Sequence, residues 1–282
     1  MNGLLLIDKP VGLTSMDVIR RVRRALGTRK VGHTGTLDPL ATGLLPVTVG
    51  SCTKLAKYLN LEPKIYTFEV VFGELTETAD NDGAVVERGR ADVTAREVEA
   101  VLPQFTGAIM QRPPRYSAIR VDGKHAYELA RAGVDFELPA REIQIDALRL
   151  NGMEDGVARM EVTCGTGTYV RSLAVDIAAA LGTVAHARSI RRVRVGAWDV
   201  ADATALDAVD ATALMAPLQM LAQLPVVALT EGEVAAVRQG KSIQRSVDDG
   251  VVALAEHAEL VAVAEARGGV LQPRRVLVDE QA

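Results

Sequence analysis

The stretch Gly32-His33-Thr34-Gly35-Thr36-Leu37-Asp38-Pro39-Leu40-Ala41-Thr42-Gly43 decides where this chain cannot run straight. Three glycines, a proline and three threonines in twelve residues exclude a helix or a central strand and require a shaped loop. At its middle a single carboxylate, Asp38, stands between Leu37 and Pro39, stiffened by the ring that follows and flanked by apolar side chains. Asp-Pro opens many ordinary turns. His33, the spaced glycines and the Leu-Asp-Pro-Leu core together are too particular for one, so the loop is read as presenting Asp38 as a reactive carboxylate.

The segments around the loop have clear periods. Leu4 to Ile7 is an apolar run that reads as a buried strand, ending at Asp8-Lys9-Pro10. A helix follows, capped by Thr14 or Ser15, with Val18, Ile19, Val22 and Leu26 on its inner face and Gly27 as its stop. Beyond the loop, Cys52, Leu55, Ala56 and Leu59 recur at helical spacing and leave Lys54 and Lys57 outward. Lys64 to Phe72 alternates as a strand, with Tyr66, Phe68, Val70 and Phe72 on one face. Such a row is ordinary core packing, except that Tyr66 begins the strand, where its ring can reach a pocket. Thr94 and Glu97 form a capping box for a helix over Val98, Val101, Leu102 and Phe105. Two strands, Arg141 to Leu150 and Val157 to Cys164, are joined by a turn from Asn151-Gly152 to Gly156, with Ile143, Ile145, Ala147, Met160 and Val162 on the covered face.

A second chemical stretch is Cys164-Gly165-Thr166-Gly167-Thr168-Tyr169-Val170-Arg171-Ser172-Leu173. The glycines break a strand, and a helix starts with Val170, Leu173, Ala174, Ile177 and Leu181 inward and Gly182 at its end. No Gly-Lys-Ser/Thr or full dinucleotide fingerprint follows, which argues against a nucleotide loop. Arg171 stands at the helix N-terminus, where a cation opposes the helix dipole. It is understood there if it answers a carboxylate. The acidic run from Asp80 fails as a calcium loop, because position twelve is Ala91 rather than glutamate.

Composition sets the outer limits. With 282 residues, 48% of them hydrophobic, the chain suffices for one large and one small domain. No apolar run approaches the ~20 residues a membrane span needs, and the N-terminus lacks the basic start of a signal peptide. Two distant cysteines, Cys52 and Cys164, fit a reduced cytoplasm and no zinc site. The net charge is −4, yet the bases cluster in sequence: Arg20, Arg21, Arg23, Arg24, Arg29 and Lys30; Arg112, Arg115, Arg120, Lys124 and Arg131; Arg188, Arg191, Arg192 and Arg194. Three such clusters around the two loops point to an RNA-binding face. Met110 to Gly133 reads either as a proline loop leading into a short helix or as a basic, aromatic track for an RNA strand. Asp199 to Leu224 reads as helices closing a first domain. From Pro225 a compact unit follows, with a Thr230/Glu233 capping box, a Gly240 stop and strands near Val251 to Ala255, Leu260 to Ala264 and Val270 to Val278 around Gly268-Gly269, the pattern of a small barrel.

These stretches, in this order, resemble the TruB family of pseudouridine synthases, bacterial enzymes acting on the T-loop uridine of tRNA. The resemblance lies in the Asp38 loop, in Leu-Ile-Asp-Lys-Pro-Val-Gly-Leu-Thr-Ser, in Lys-x-Tyr at Lys64 to Tyr66, in Thr78-Ala79-Asp80-Asn81-Asp82-Gly83, in Gly-Thr-Tyr-Val-Arg at Gly167 to Arg171, and in Ala185 to Gly196. Glu77, Gly165, Val170 and Ile190 depart from the family pattern. The resemblance implies an α+β catalytic domain over residues 1–222, built on a mixed, largely antiparallel sheet flanked by helices. It also implies a small barrel-like PUA RNA-binding domain over residues 223–282. The implied reaction converts uridine 55 of tRNA to pseudouridine on a flipped-out base, as a cytoplasmic isomerase, a monomer needing no cofactor and no metal. Asp38, Tyr66, Tyr169 and Arg171 are its expected catalytic residues; Lys9, His33, Lys54, Asp80 and Ile190 are expected to bind substrate. Two other classes remain open: a glycoside hydrolase, which needs a second carboxylate, and a non-catalytic RNA-binding or tRNA-folding protein.

Overall fold

The computed structural model describes residues 1–277. Its main sheet has ten strands: β1 (Gly3–Lys9), β2 (Val31–His33), β3 (Thr42–Val49), β4 (Lys64–Phe72), β5 (Gly107–Gln111), β6 (Arg141–Glu154), β7 (Val157–Cys164), β8 (Ala185–Val195), β9 (Trp198–Asp199) and β10 (Thr204–Ala205). They run in the order β10-β1-β3-β8-β4-β7-β6-β5, with β2 on β3 and β9 on β8. Only β1–β10 and β3–β8 are parallel pairs, so the sheet is mixed and largely antiparallel, as expected.

The apolar run in β1 has a structural cause. Leu5 and Ile7 enter a cluster on one face of the sheet, while Leu4 and Leu6 enter a second cluster on the other. A strand covered on both sides has no polar alternation. The first cluster takes the inner faces of three helices: α1 (Ser15–Ala25), α2 (Ala95–Val101) and, after the short α3 (Ala126–Arg131), α4 (Val170–Ala180). The capping boxes Thr14/Asp17 and Thr94/Glu97 start α1 and α2, and Gly27 follows α1 with a φ of +62°.

Three expectations are corrected. The turn expected over Asn151 to Gly156 contracts to Asp155-Gly156, both at positive φ, because β6 runs on to Glu154. A register shift between Ile145 and Ala147 makes a bulge, so Leu148 rather than Ala147 takes the inner position after Ile145. Asp199 to Leu224 holds no long helix, only single 3-10 turns and short strands. The side chains of Asp199 and Asp210 accept hydrogen bonds from backbone amides just beyond them, closing turns where a helix would have to continue.

The C-terminal unit places α5 (Glu231–Arg238), with its Thr230/Glu233 box, on a five-stranded sheet. That sheet comprises β11 (Val226–Ala228), β12 (Ile243–Gln244), β13 (Gly250–Glu256), β14 (Glu259–Arg267) and β15 (Val270–Val276), in the order β11-β13-β14-β15-β12. The expected strand end at Val278 lies outside the described residues. Ala253, Leu260 and Val263 of this sheet share the second cluster with Leu4, Leu6, Leu44 and Leu55. One face of the main sheet is thus closed by the C-terminal unit, and the helices cover the face where the Asp38 loop is built.

Candidate active site

The loop from Thr34 to Ala41 joins β2 to β3 and is tied at several points. Thr34 donates its amide to the Pro46 carbonyl at 3.1 Å, and the Ser15 hydroxyl both accepts from the Leu37 amide (2.8 Å) and donates to its carbonyl (3.1 Å). Leu37, 4% exposed, anchors the loop in the core just before Asp38. Behind it the fully buried Lys9 donates from Nζ to the carbonyls of Leu13 (2.6 Å), Pro10 (3.0 Å) and Pro39 (3.4 Å). Burial brings the Lys9 ammonium down to about 8, opposed by the attraction of Asp38.

Arg171 comes from the first turn of α4, at 3% exposure. Its Nε and Nη2 lie 2.9 and 2.8 Å from one oxygen of Asp38, Oδ2. Nη1 donates to the Thr78 carbonyl and Nη2 to the Tyr116 carbonyl, each at 2.8 Å, while Asp80 Oδ2 stands 3.5 Å from Nε. Asp80 is itself buried and fixed by the Thr78 hydroxyl and the Asp82 amide. The guanidinium disfavoured by the helix dipole is thus held between two carboxylates and two carbonyls. Asp38 Oδ1 takes no hydrogen bond from the described residues, and the side chain keeps 35% exposure.

Asp38 lines a cavity of about 290 Å³ with Lys64, Tyr66, Tyr169, Ile190 and Arg192, together with residues of the two glycine loops. Tyr66 and Arg192 are directly opposed on β4 and β8, and the Arg192 side chain meets the Tyr66 phenol. Burial first of all pushes the Tyr66 hydroxyl pKa up, keeping it protonated. The backbone of Tyr169 is gripped at both its amide and its carbonyl by the buried Gln111 side chain, and the Arg141 guanidinium lies 5.1 Å from the Tyr169 ring centre. Among the described residues no carboxylate besides Asp38 lines this cavity.

Of the residues expected at the site, Asp38, Tyr66, Tyr169, Arg171 and Ile190 converge on the cavity, and Asp80 joins through Arg171. Lys9 supports the loop from behind. His33 lies at the end of β2 outside the cavity; its Nδ1 is buried with no partner among the described residues, and burial, then Arg192, lowers its pKa. Lys54 is exposed on a 3-10 helix and does not reach the cavity. Sequence reasoning placed none of Lys64, Arg192 or Gln111 in the cavity: Lys64 served only as part of the Lys-x-Tyr motif and Arg192 as part of a basic RNA-binding cluster. Two of them carried a signal: Lys64 shares the buried face of β4 with Tyr66, and Arg192 shares that of β8 with Ile190. A charged residue on an apolar strand face is unusual.

A larger cavity, about 570 Å³, lies on the other side of Arg171, mostly under Pro113, Pro114 and Val175. It holds Asp176, which burial raises to about 6 and which pairs with no cation among the described residues, together with Glu77, Arg112, Arg115 and Tyr116. Among the described residues no three His, Cys, Asp or Glu side chains gather as metal ligands, and no helix is long and apolar enough to cross a membrane.

Residues 23–170 match the TruB family pseudouridylate synthase N-terminal domain, and residues 225–277 the TruB C-terminal domain of pseudouridine synthase II. Proteins of Thermobifida fusca (43% identical, covering 96% of this chain and 97% of that protein) and Azoarcus sp. (41%, 99% and 96%), each called tRNA pseudouridine synthase B, match along nearly the whole chain. A chain in the crystal structure of a Cbf5-Nop10-Gar1 complex shares the fold, with a TM-score of 0.72 at 25% identity over 97% of this chain and 84% of that one. The first of these matched segments carries Asp38, Tyr66 and Tyr169 of the cavity, and the chain belongs to the TruB family of pseudouridylate synthases and is an isomerase.

Proposed function

We propose that the chain isomerises one uridine of the tRNA T loop, position 55, with ionised Asp38 acting on the ribose of a flipped-out nucleotide. The observation that carries this reading is the division of labour on one carboxylate: Arg171 engages Oδ2, while Oδ1 takes no hydrogen bond from the described residues and Asp38 lines a cavity of about 290 Å³ with Tyr66. In one route Oδ1 attacks C1′ and the C1′–N1 bond breaks with its electron pair leaving on the base. In the other Asp38 takes the C2′ proton, a C1′=C2′ double bond forms and the same pair leaves with the base. The base then turns and C5 bonds to C1′, with Oδ1 leaving C1′ in the first route and Asp38 returning the proton to C2′ of the double bond in the second; the C5 proton departs and N1 gains one, so uridine and product are isomers. No redox partner, metal or cofactor enters that balance.

The Tyr66 ring stacks on the base, since a flat protonated phenol offers a π face. Tyr169, clamped by Gln111, relays the C5 proton. Asp80 keeps Arg171 aimed at Asp38, the Ile190 segment borders the base, Lys9 holds the loop, and His33 and Lys54 contact the disrupted RNA loop from outside the cavity. Residues 1–222 carry the chemistry, while residues 223–282 act as a PUA-like grip on RNA. The protein works as a cytoplasmic monomer. Support for tRNA as substrate comes from the relatives' names and from the sequence resemblance. A hydrolase is disfavoured because the cavity offers no second carboxylate to serve as general acid.

Asp38→Asn tests this reading, with tRNA binding and pseudouridine formation measured on one folded preparation. The expected result is affinity near the parent's, because phosphate contacts supply most of it, and no product. Turnover at the parent's rate would sink the mechanism.

A further inference from the structure

Lys64 and Arg192 are both buried, at 8% and 2% exposure, and both line the Asp38 cavity. Neither has a carboxylate partner among the described residues. Arg192 donates from Nε to the Leu44 carbonyl (2.7 Å) and from Nη2 to the Gly35 carbonyl (3.2 Å). Lys64 Nζ has three protons, and the one acceptor it meets among the described residues is the Thr166 hydroxyl at 2.9 Å. The nearby Glu62 is occupied with the Thr166 amide at 2.6 Å. Burying a cation costs several kcal/mol unless it is compensated. Burial lowers the Lys64 pKa and the neighbouring Arg192 lowers it further, against a smaller opposing pull from Cys164 and Glu62. Nothing in the fold requires that arrangement, because a methionine would fill the Lys64 position without charge.

We propose that Lys64, backed by Arg192, is a further catalytic group that binds a carbonyl oxygen of the departing base and stabilises it as the uracil anion. This rests on the reading of Asp38 and Tyr66 given above. Lys64 lies two residues before Tyr66 on the same buried face of β4, about 7 Å along the strand, which puts its flexible stem at the rim of a ring stacked on Tyr66. Both routes open to Asp38 break C1′–N1 with the pair going to the base. The charge spreads from N1 onto the two carbonyl oxygens, and a preorganised buried cation acts most strongly where charge develops. Lys64 is unneeded before the bond breaks and again once C5 has closed on C1′ and N1 has been protonated. That asymmetry makes its binding selective for the transition state.

The test uses the full-length protein and a T-arm stem-loop carrying either uridine or 5-fluorouridine at the target. Fluorine withdraws electrons, so 5-fluorouracil leaves as an anion with less help. Lys64→Gln keeps a donor for Thr166 and removes the charge; Lys64→Met removes both. Single-turnover cleavage of C1′–N1 should fall tenfold or more in both variants on uridine, with RNA affinity within about twofold and a melting temperature not below wild type. On 5-fluorouridine the deficit should be at least threefold smaller. A loss under tenfold in Lys64→Gln overturns the proposal, as does a deficit equal on the two substrates, which would leave Lys64 merely holding the Gly165–Gly167 loop. Asp38→Asn run alongside separates the two failures, because cleavage in that protein condemns the reading of the site itself.

Discussion

The two walls of the cavity treat their buried arginines in opposite ways. Arg171, 3% exposed, spends its donors on Asp38, Asp80 and two carbonyls, while Arg192, 2% exposed, is held by carbonyls and has no carboxylate partner among the described residues. The first arrangement positions: a guanidinium fork fixes one oxygen of a carboxylate and neutralises its field. The second leaves an electrostatic field uncancelled and directed at whatever enters. The pocket therefore has a side that aims a nucleophile or base and a side suited to receive negative charge, and each should fail in its own manner.

The largest loss is expected on the positioning side. In Arg171→Lys a point charge replaces a planar fork that serves Asp38, Thr78 and Tyr116 together. Two charge-assisted hydrogen bonds at about 1.5–3 kcal/mol each imply a fall of about 10²–10⁴-fold in single-turnover rate, with tRNA affinity almost unchanged. A variant that turned over within tenfold of wild type would erase the distinction between the walls.

Tyr66, between the walls, gives the next effect. Tyr66→Leu should cost about 10–100-fold, the worth of one base stacked on an aromatic ring, while Tyr66→Phe should cost no more than about fivefold. Equal damage in both would move the C5 proton from Tyr169 to the Tyr66 hydroxyl, against the raised pKa that burial gives it.

Much of the positioning side was legible in the sequence, because a glycine-rich loop with one carboxylate and an arginine at a helix start are each locally odd. The capping boxes of α2 and α5 were equally plain, since their signal spans four residues, whereas at α1 the sequence left the cap between Thr14 and Ser15 and the structure gives it to Thr14 with Asp17. The receiving side was hidden by its neighbours. Arg192 sits in a run with Arg188, Arg191 and Arg194 that reads as a basic face. The alternation of β8 sends Arg192 inward, while Arg188 pairs with Glu69, Arg191 with Asp8 and Arg194 with Asp199. Asp8 is 183 residues from Arg191 and Glu69 is 119 from Arg188, so the segregation of charge along the chain is partly undone in space. The Asp146 bulge was illegible for a related reason, as register belongs to the strand pair rather than to either strand.

The smallest effect on turnover is expected at Lys9, and it is a matter of stability. Its pKa of about 8 in the folded chain lies below the ordinary 10.5, so between these values the unfolded chain holds the proton more tightly. Stability contributed at this position therefore rises with pH across that window. Denaturant unfolding of wild type relative to Lys9→Met should show the difference shift in favour of wild type by about 2 kcal/mol from pH 7.5 to pH 10. No shift would mean that the carbonyl cage compensates the buried charge fully.

The most direct test of Asp38 and its two walls as an isomerisation site is product mapping. Unmodified tRNA transcript, incubated with the purified wild-type protein and no added metal or nucleotide, is read for pseudouridine at single-nucleotide resolution and for free uracil. Conversion of one T-loop uridine with no uracil released is the expected result. Released uracil, or tRNA left without pseudouridine, would contradict it.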